Sequence, residues 1–242
     1  MNNYYIYKVV LTLFIQLYLL LNLNLACAQT TEALYNNAIT DAAYPEAKEV
    51  VSTLINLYDK SKTLDTVVCF EKYVLVTTLK ERKFSYPYSG YFNTGNRETW
   101  VTAVPELQEV FNAYATKFAD KSTRVKQLLG MPPWFKDSCF LEMWVKPDDV
   151  FRPCPDQEID DNTCLINYQG NVSLTHVNWM MNNKTNSCCN PDTSRRYPWT
   201  QLGYTYDWNS ENKTHVGLSE FVVKKNSDVI IRKIYSTEEY LK

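Results

Sequence analysis

Residues 66–79, TVVCFEKYVLVTTL, decide the fold class of this chain. The run is rich in β-branched and aromatic side chains, which favour the pleated surface of a sheet. We predict one or two strands here. A sheet with an apolar face needs cover from the segments around it, so the flanking patterns indicate the architecture.

Helical patterns lie on both sides of this run. Before it, residues 31–43 are weakly periodic, and the apolar residues that follow Pro45 recur at three- and four-residue spacing up to Tyr58. After it, residues 104–118 and 122–129 repeat this periodicity. Residues 85–98 are rich in Gly, Asn and Pro, which predicts a loop. The first half of the chain is therefore predicted to be mainly helical.

Strand patterns dominate from residue 139 onward. CFLEMWV at 139–145 predicts a strand, and residues 219–236 predict two strands with a turn near Asn226. Within YPWTQLGYTYDW, residues 197–208, every second residue from Leu202 to Trp208 is large and apolar, as in a strand with one covered face. We expect an α+β fold with a helical N-terminal half packed on a mainly antiparallel sheet from the C-terminal half, braced by disulfides.

The N-terminus has the pattern of a signal peptide. A single lysine precedes the apolar run VVLTLFIQLYLLL, and the small residues Ala26 and Ala28 predict cleavage before Gln29. We expect residues 1–28 to be the signal peptide and residues 29–242 to form a single α+β domain. The run is shorter than the ~20 residues needed to cross a bilayer. A secreted product, or a periplasmic one in a bacterium, is expected, with no membrane span in the mature chain.

Cysteines beyond the leader are even in number, which favours disulfides in an exported chain. They are Cys69, Cys139, Cys154, Cys164, Cys188 and Cys189. We predict a bond between Cys154 and Cys164, and different partners for the adjacent Cys188 and Cys189. The ligand spacings of a zinc site are absent, and the acidic segment 156–161 lacks the pattern of a calcium loop, so no metal is predicted.

Three Asn-x-Ser/Thr sequons lie in segments interpreted as loops. They are Asn171, Asn183 and Asn212. In a eukaryotic host they would carry glycans on the surface, and the chain would be a glycoprotein.

Charge and motifs argue against several classes of function. The chain has 25 Lys and Arg against 27 Asp and Glu, a net charge of −2, and its basic residues are scattered. General nucleic-acid binding, which needs a clustered basic face, is therefore not expected. The glycine-rich phosphate cradle, the hydrolase elbow and the zincin helix are absent, and no cofactor is predicted. The expected partner is an unidentified extracellular ligand or protein.

The first functional hypothesis is recognition through an aromatic-rich C-terminal surface. Its candidate binding residues are Trp199, Tyr204, Tyr206 and Trp208. Amphipathic rings provide a large contact area at low entropic cost, which suits a binding surface. The alternative for the same rings is burial in the core.

The second hypothesis is a secreted effector-type enzyme, ADP-ribosyltransferase-like or ribonuclease-like. Glu220 would act as the base beside His215, and Arg124 or Arg152 would hold an anionic substrate. An early arginine and a glutamate on a late strand resemble the order of residues in ADP-ribosyltransferase toxins. The Ser-Thr-Ser strand of that family is absent, as is a glutamate two positions before Glu220.

Overall fold

The computed structural model describes residues 2–81, 86–114, 120–136, 138–170 and 172–242. Its architecture is α+β, with helices packed around a mostly antiparallel sheet. The predicted fold class is confirmed at this level.

The helices and strands alternate along the chain. Up to residue 128 they are α1 (Asn2–Ala42), β1 (Asp65–Val68), β2 (Glu71–Glu81), β3 (Gly90–Asn93), β4 (Thr99–Ala103), α2 (Val104–Tyr114) and α3 (Lys121–Leu128). Beyond it they are β5 (Ser138–Val145), β6 (Val150–Phe151), α4 (Leu174–Cys189), β7 (Tyr204–Tyr206), β8 (Val216–Ser219), β9 (Phe221–Val223), β10 (Asp228–Ser236) and α5 (Thr237–Tyr240). Short 3-10 turns occupy Ala47–Glu49, Pro147–Asp149 and Thr193–Arg195.

The helical N-terminal half is confirmed only in part, because β1 to β4 also come from it. The helix predicted after Pro45 is wrong: only the 3-10 turn Ala47–Glu49 forms. The chain then runs alongside another loop, where Leu54 N–H donates to the Asn162 carbonyl (3.0 Å) and Leu57 N–H to that of Ile159 (2.8 Å). Its apolar residues thus pack against the sheet without helical geometry.

The opening run forms the β1–β2 hairpin, as predicted. Cys69 and Phe70 make its two-residue turn with φ of 50° and 69°, the positive values that a tight hairpin of this twist requires. β2 then pairs with β5 continuously, from Val74 opposite Val145 to Glu81 opposite Ser138. This hairpin and its partner form the centre of the sheet.

The main sheet has the strand order β3-β10-β5-β2-β4-β9-β6, with β1 added to β2. Strands β7 and β8 form a separate two-stranded sheet. All strand pairs among the described residues are antiparallel. β3 lies within the segment 85–98 that was predicted to be a loop.

Each face of the main sheet carries its own apolar core. Val76, Met143 and Phe221 point to one face, where Leu57 covers them. Leu79 and Phe140 point to the other face, against α2, α3 and α5. The alternation of side chains along β2 and β5 assigns these faces.

Helix α1 packs against the rest of the fold through its C-terminal part. Tyr35, Ala38 and Ile39 pack against Tyr206 and Trp208, whereas the side chains of residues 8–18 are exposed. The packed part begins after the predicted cleavage position, so cleavage would leave it in place. In the described part of the chain, no helix meets the length and apolarity that a membrane span demands. The signal peptide and export stay predictions.

One disulfide is present among the described residues, and it is the predicted Cys154–Cys164 bond. The Sγ atoms of Cys188 and Cys189 lie 2.8 Å apart at the end of α4, and neither is disulfide-bonded. Their separate partners are therefore not confirmed, and disulfide bracing is shown for a single loop.

Candidate ligand-binding cavity

Strands β2 and β4 separate soon after they meet. Val76 pairs with Ala103 and Thr77 with Thr102, and the register ends there. β4 continues along β9 instead, with Val101 opposite Phe221. The edges of β2 beyond Thr77 and of β4 before Thr102 therefore diverge.

A cavity of about 420 Å³ lies at this divergence. Residues of both strands line it, together with the segments 129–135 and 194–199. The polar and aromatic residues of its wall are Tyr35, Thr77, Thr78, Lys80, Trp100, Thr102, Phe135, Phe140, Ser194, Arg195, Arg196, Tyr197, Trp199, Thr205 and Glu220. Its volume falls within the range of small-molecule sites.

Glu220 occupies the point where the chain passes from one sheet to the other. β8 ends at Ser219 in the small sheet, and β9 begins at Phe221 in the main sheet. Phe221 is fully buried in the core, so alternation directs Glu220 to the opposite face, where the cavity lies. The Glu220 N–H donates to the Gly203 carbonyl (2.8 Å), which fixes the backbone there.

The carboxyl of Glu220 has no hydrogen-bond or ion-pair partner within the described ranges. The residue is half-buried because it faces the cavity, while protein encloses it on the other sides. Burial raises the pKa of the Glu220 carboxyl to about 8, so at neutral pH the group is mostly protonated. An enclosed, unpaired carboxyl with a shifted pKa is typical of functional sites.

Glu106 holds the backbone beside Glu220. It lies in the first turn of α2, and its carboxylate accepts hydrogen bonds from Ser219 N–H (2.9 Å), Ser219 Oγ (2.8 Å) and Thr102 Oγ1 (3.2 Å). Burial raises the pKa of the Glu106 carboxyl, and these hydrogen bonds oppose the rise. The hydrogen bonds of the Glu106 carboxylate are all to protein groups, and they hold Ser219, the residue before Glu220, in place.

Aromatic rings form the wall around Glu220. The Trp100 ring lies edge-on to Trp199 (centroids 6.0 Å, planes at 87°) and to Tyr197 (6.2 Å, 72°). The Tyr197 hydroxyl donates to Asn183 Oδ1 at 3.1 Å. Burial first, and then the charges of Glu220 and Glu98, raise the pKa of Tyr197. Trp199 is 3% exposed, and its indole N–H lacks a partner in the part of the chain described.

Of the residues predicted from the sequence, Trp199 and Glu220 meet in this cavity. The other three aromatic candidates are buried and contact the protein. Tyr204 OH donates to the Glu49 carbonyl (3.0 Å), Tyr206 OH to Asp41 Oδ2 (2.7 Å) and Trp208 Nε1–H to the Met131 carbonyl (3.0 Å). These three rings are buried in the core, which was the alternative interpretation of the sequence.

His215 lies apart from Glu220. Its ring stacks on Tyr206 at 4.7 Å, and its Nδ1 lies 3.1 Å from the Asp207 carbonyl oxygen. It borders a crevice of about 10 Å³, too small for a ligand. His215 and Glu220 therefore do not share a cleft.

The two candidate arginines are bound to other protein groups. Arg124 makes a two-point ion pair with Asp207, at 2.9 and 2.7 Å. Arg152 is fully buried, donates to Asp161 Oδ1 (3.0 Å) and bonds the carbonyls of Ile55 (3.0 Å) and Thr163 (2.7 Å). Neither arginine lines the cavity.

Sequence reasoning missed Trp100 and Tyr197. Trp100 lies in TWVTA, a short β-branched run at the end of the predicted loop that could have indicated a strand. Tyr197 was part of the aromatic segment but not of its alternating set. The pairing of β4 with β9, more than a hundred residues apart in the chain, brings the Trp100 ring to the cavity.

The sequons have three different outcomes. Asn171 lies outside the described residues. Asn183 lies within α4 and not in a loop, and its amide nitrogen is buried. Asn212 is in a loop, where its Nδ2 donates to Asp207 Oδ2 (2.9 Å) and to the Val216 carbonyl (3.0 Å). Glycosylation stays a prediction.

A broader groove of about 760 Å³ runs between α1 and residues 188–196. Most of its lining residues are exposed, including Glu32, Asn36 and Cys189. The cavity at Glu220, which combines buried aromatic residues with an unpaired carboxyl, is the stronger candidate. No protein-family model, curated protein or solved structure matches this chain.

Proposed function

We propose that this protein binds a small organic molecule in the cavity between β2 and β4. The observation that carries the proposal is the unpaired carboxyl of Glu220 in a wall of aromatic rings. Ligand sites are mostly apolar concavities with a few placed polar groups, and this cavity has that composition. Recognition by aromatic side chains was the first hypothesis from the sequence, and one of its candidate residues, Trp199, lines this cavity.

The cavity is built from fixed elements. Trp100 lies on β4, Glu220 joins two strands, and Trp199 forms an antiparallel bridge with Thr205. A wall of this kind needs little rearrangement before it accepts a ligand, which favours affinity.

The enzymatic hypothesis has less support from the geometry. Glu220 would have to act without His215, Arg124 or Arg152, because all three lie elsewhere and contact protein groups. We therefore favour binding over catalysis, in an exported protein.

Titration with the neutral fluorophore N-phenyl-1-naphthylamine tests the proposal. Trp100 and Trp199 line the cavity, so binding should quench tryptophan emission and raise probe fluorescence. We expect saturable binding that Leu129→Trp weakens at least tenfold, because Leu129 lines the cavity and a larger side chain would fill it.

Leu174→Trp is the matched control, since Leu174 is 81% exposed at the start of α4. It should bind the probe as the parent protein does. Trp100→Ala, which removes part of the wall, is a second variant in case Leu129→Trp does not fold. Equal affinity in the parent protein and in folded cavity variants would contradict the proposal, as would no saturable binding at all.

A further inference from the structure

Glu220 is the single carboxyl among the described residues that line the cavity. The lining also includes three basic residues, Lys80, Arg195 and Arg196, so the charge around Glu220 depends on where their cationic groups point. Their contacts decide which ligand chemistry the cavity suits.

Both arginines contact a protein group outside the cavity lining, and no cation contributes to the pKa shift of Glu220. Arg195 Nε pairs with Asp192 (3.2 Å) and Arg196 Nε donates to the Asn190 carbonyl (2.8 Å). Lys80 alternates with Leu79 on β2, so its side chain projects to the opposite face of the sheet. Burial first, and then Arg97, lower the pKa of Lys80. Burial alone, without a compensating cation, accounts for the raised pKa of Glu220.

Three aromatic residues share the cavity wall with Glu220. Trp100, Tyr197 and Trp199 lie at steep angles to one another, an arrangement that can direct ring faces as well as edges into the cavity. Ring faces attract cations, and tryptophan does so most strongly. A carboxylate stripped of water gains most from a partner of opposite charge.

We infer that the ligand is an organic amine, whose ammonium group lies between Glu220 and the rings while its apolar body fills the cavity. This inference rests on the proposed function and adds the chemical class of the ligand. The ammonium would supply the partner that Glu220 lacks, and the carboxyl would bind it as the carboxylate. A proton would then leave Glu220 for the solvent as the ion pair forms.

Three ligands with the same body test the inference: 4-phenylbutylamine, 4-phenylbutanol and 4-phenylbutyrate, each titrated calorimetrically at pH 7. We expect the amine to bind at least tenfold more tightly than the alcohol, and the anion to bind most weakly. Glu220→Gln should reduce amine affinity to that of the alcohol and leave alcohol affinity within about twofold.

Glu211→Gln is the matched control, because it makes the same substitution at an exposed glutamate outside the cavity. It should preserve the preference for the amine. Equal affinity for the amine and the alcohol, or an amine preference that survives Glu220→Gln, would overturn the inference while leaving the proposed function standing. Failure of all three ligands and of the neutral probe would overturn the proposed function itself.

Discussion

Two carboxyls in this protein, one buried and one half-buried, have opposite surroundings. Asp207 is fully buried and accepts hydrogen bonds from both terminal nitrogens of Arg124, from Asn209 N–H and from Asn212 Nδ2. Glu220, across the β7–β8 sheet, has no such partner among the described residues. Because an unpaired buried polar group is costly, proteins retain one mainly where it has a use.

The two carboxyls differ in whether protein groups pair with them, and we interpret the paired one as structural and the unpaired one as a candidate binding group. The Asp207 network joins α3 to the loop after β7, and each of its members has a protein partner. The cavity wall around Glu220 has aromatic rings, an open volume and a carboxyl without a protein partner among the described residues. Three changes test this distinction.

The largest effect is expected from Asp207→Ala. It leaves the buried guanidinium of Arg124 without its carboxylate, which should lower the free energy of unfolding by about 3–5 kcal/mol. Urea denaturation of Asp207→Ala, Arg124→Ala and the double variant measures the coupling. The double variant should lose less than the sum of the single losses. Additive losses would show that the pair is not an energetic unit.

Gly203→Ala should have an intermediate effect. Gly203 has φ of +74°, and an added Cβ would lie 2.7 Å from Cδ of the buried Arg152. We expect a loss of about 1–3 kcal/mol from backbone strain, with further loss from this contact. Gly95→Ala is the matched control, since Gly95 also has a positive φ (+57°) but nothing within 4 Å of its Cβ position. If both variants lost equal stability, the packing around Arg152 would not limit this position.

The smallest effect on stability is expected from Glu220→Gln, and its size depends on pH. The folded carboxyl has a pKa of about 8, above the usual value of 4.5, so the unfolded chain ionises first as pH rises. Glu220 therefore opposes folding increasingly between about pH 4.5 and 8. The melting temperature of Glu220→Gln should match the parent at pH 4 and exceed it at pH 8 by a few degrees. A parent protein that is the more stable of the two at pH 8 would show that Glu220 is paired.

The sequence predicted what local patterns determine. The run at 66–79 gave strands β1 and β2. The periodicity at 104–118 and 122–129 gave α2, which is described up to Tyr114, and α3, while residues 115–118 lie outside the described part of the chain. The even number of cysteines indicated disulfides, and the predicted Cys154–Cys164 bond is present. The apolar spacing after Pro45 wrongly predicted a helix. Residues at this spacing can also be buried in an extended segment that packs against a sheet.

Long-range pairing was beyond the reach of local patterns. Arg124 was assigned to an anionic substrate, and its carboxylate partner lies 83 residues away in the chain. Glu220 was identified at a strand boundary, but Trp100 reaches it only through the pairing of β4 with β9. Trp199 and Glu220 were identified individually, and their assembly with Trp100 and Tyr197 required the tertiary fold.

The passage of the chain from β8 to β9 without an intervening loop has one more consequence. Glu220 is held on one side by the Gly203 carbonyl and on the other by the ladder of β9. Few backbone conformations are then lost when a ligand arrives, so most of the interaction energy can appear as affinity. Under the proposed function, the cavity would discriminate between ligands by their shape and charge. The rate of ligand entry would not depend on a movement of the backbone at Glu220.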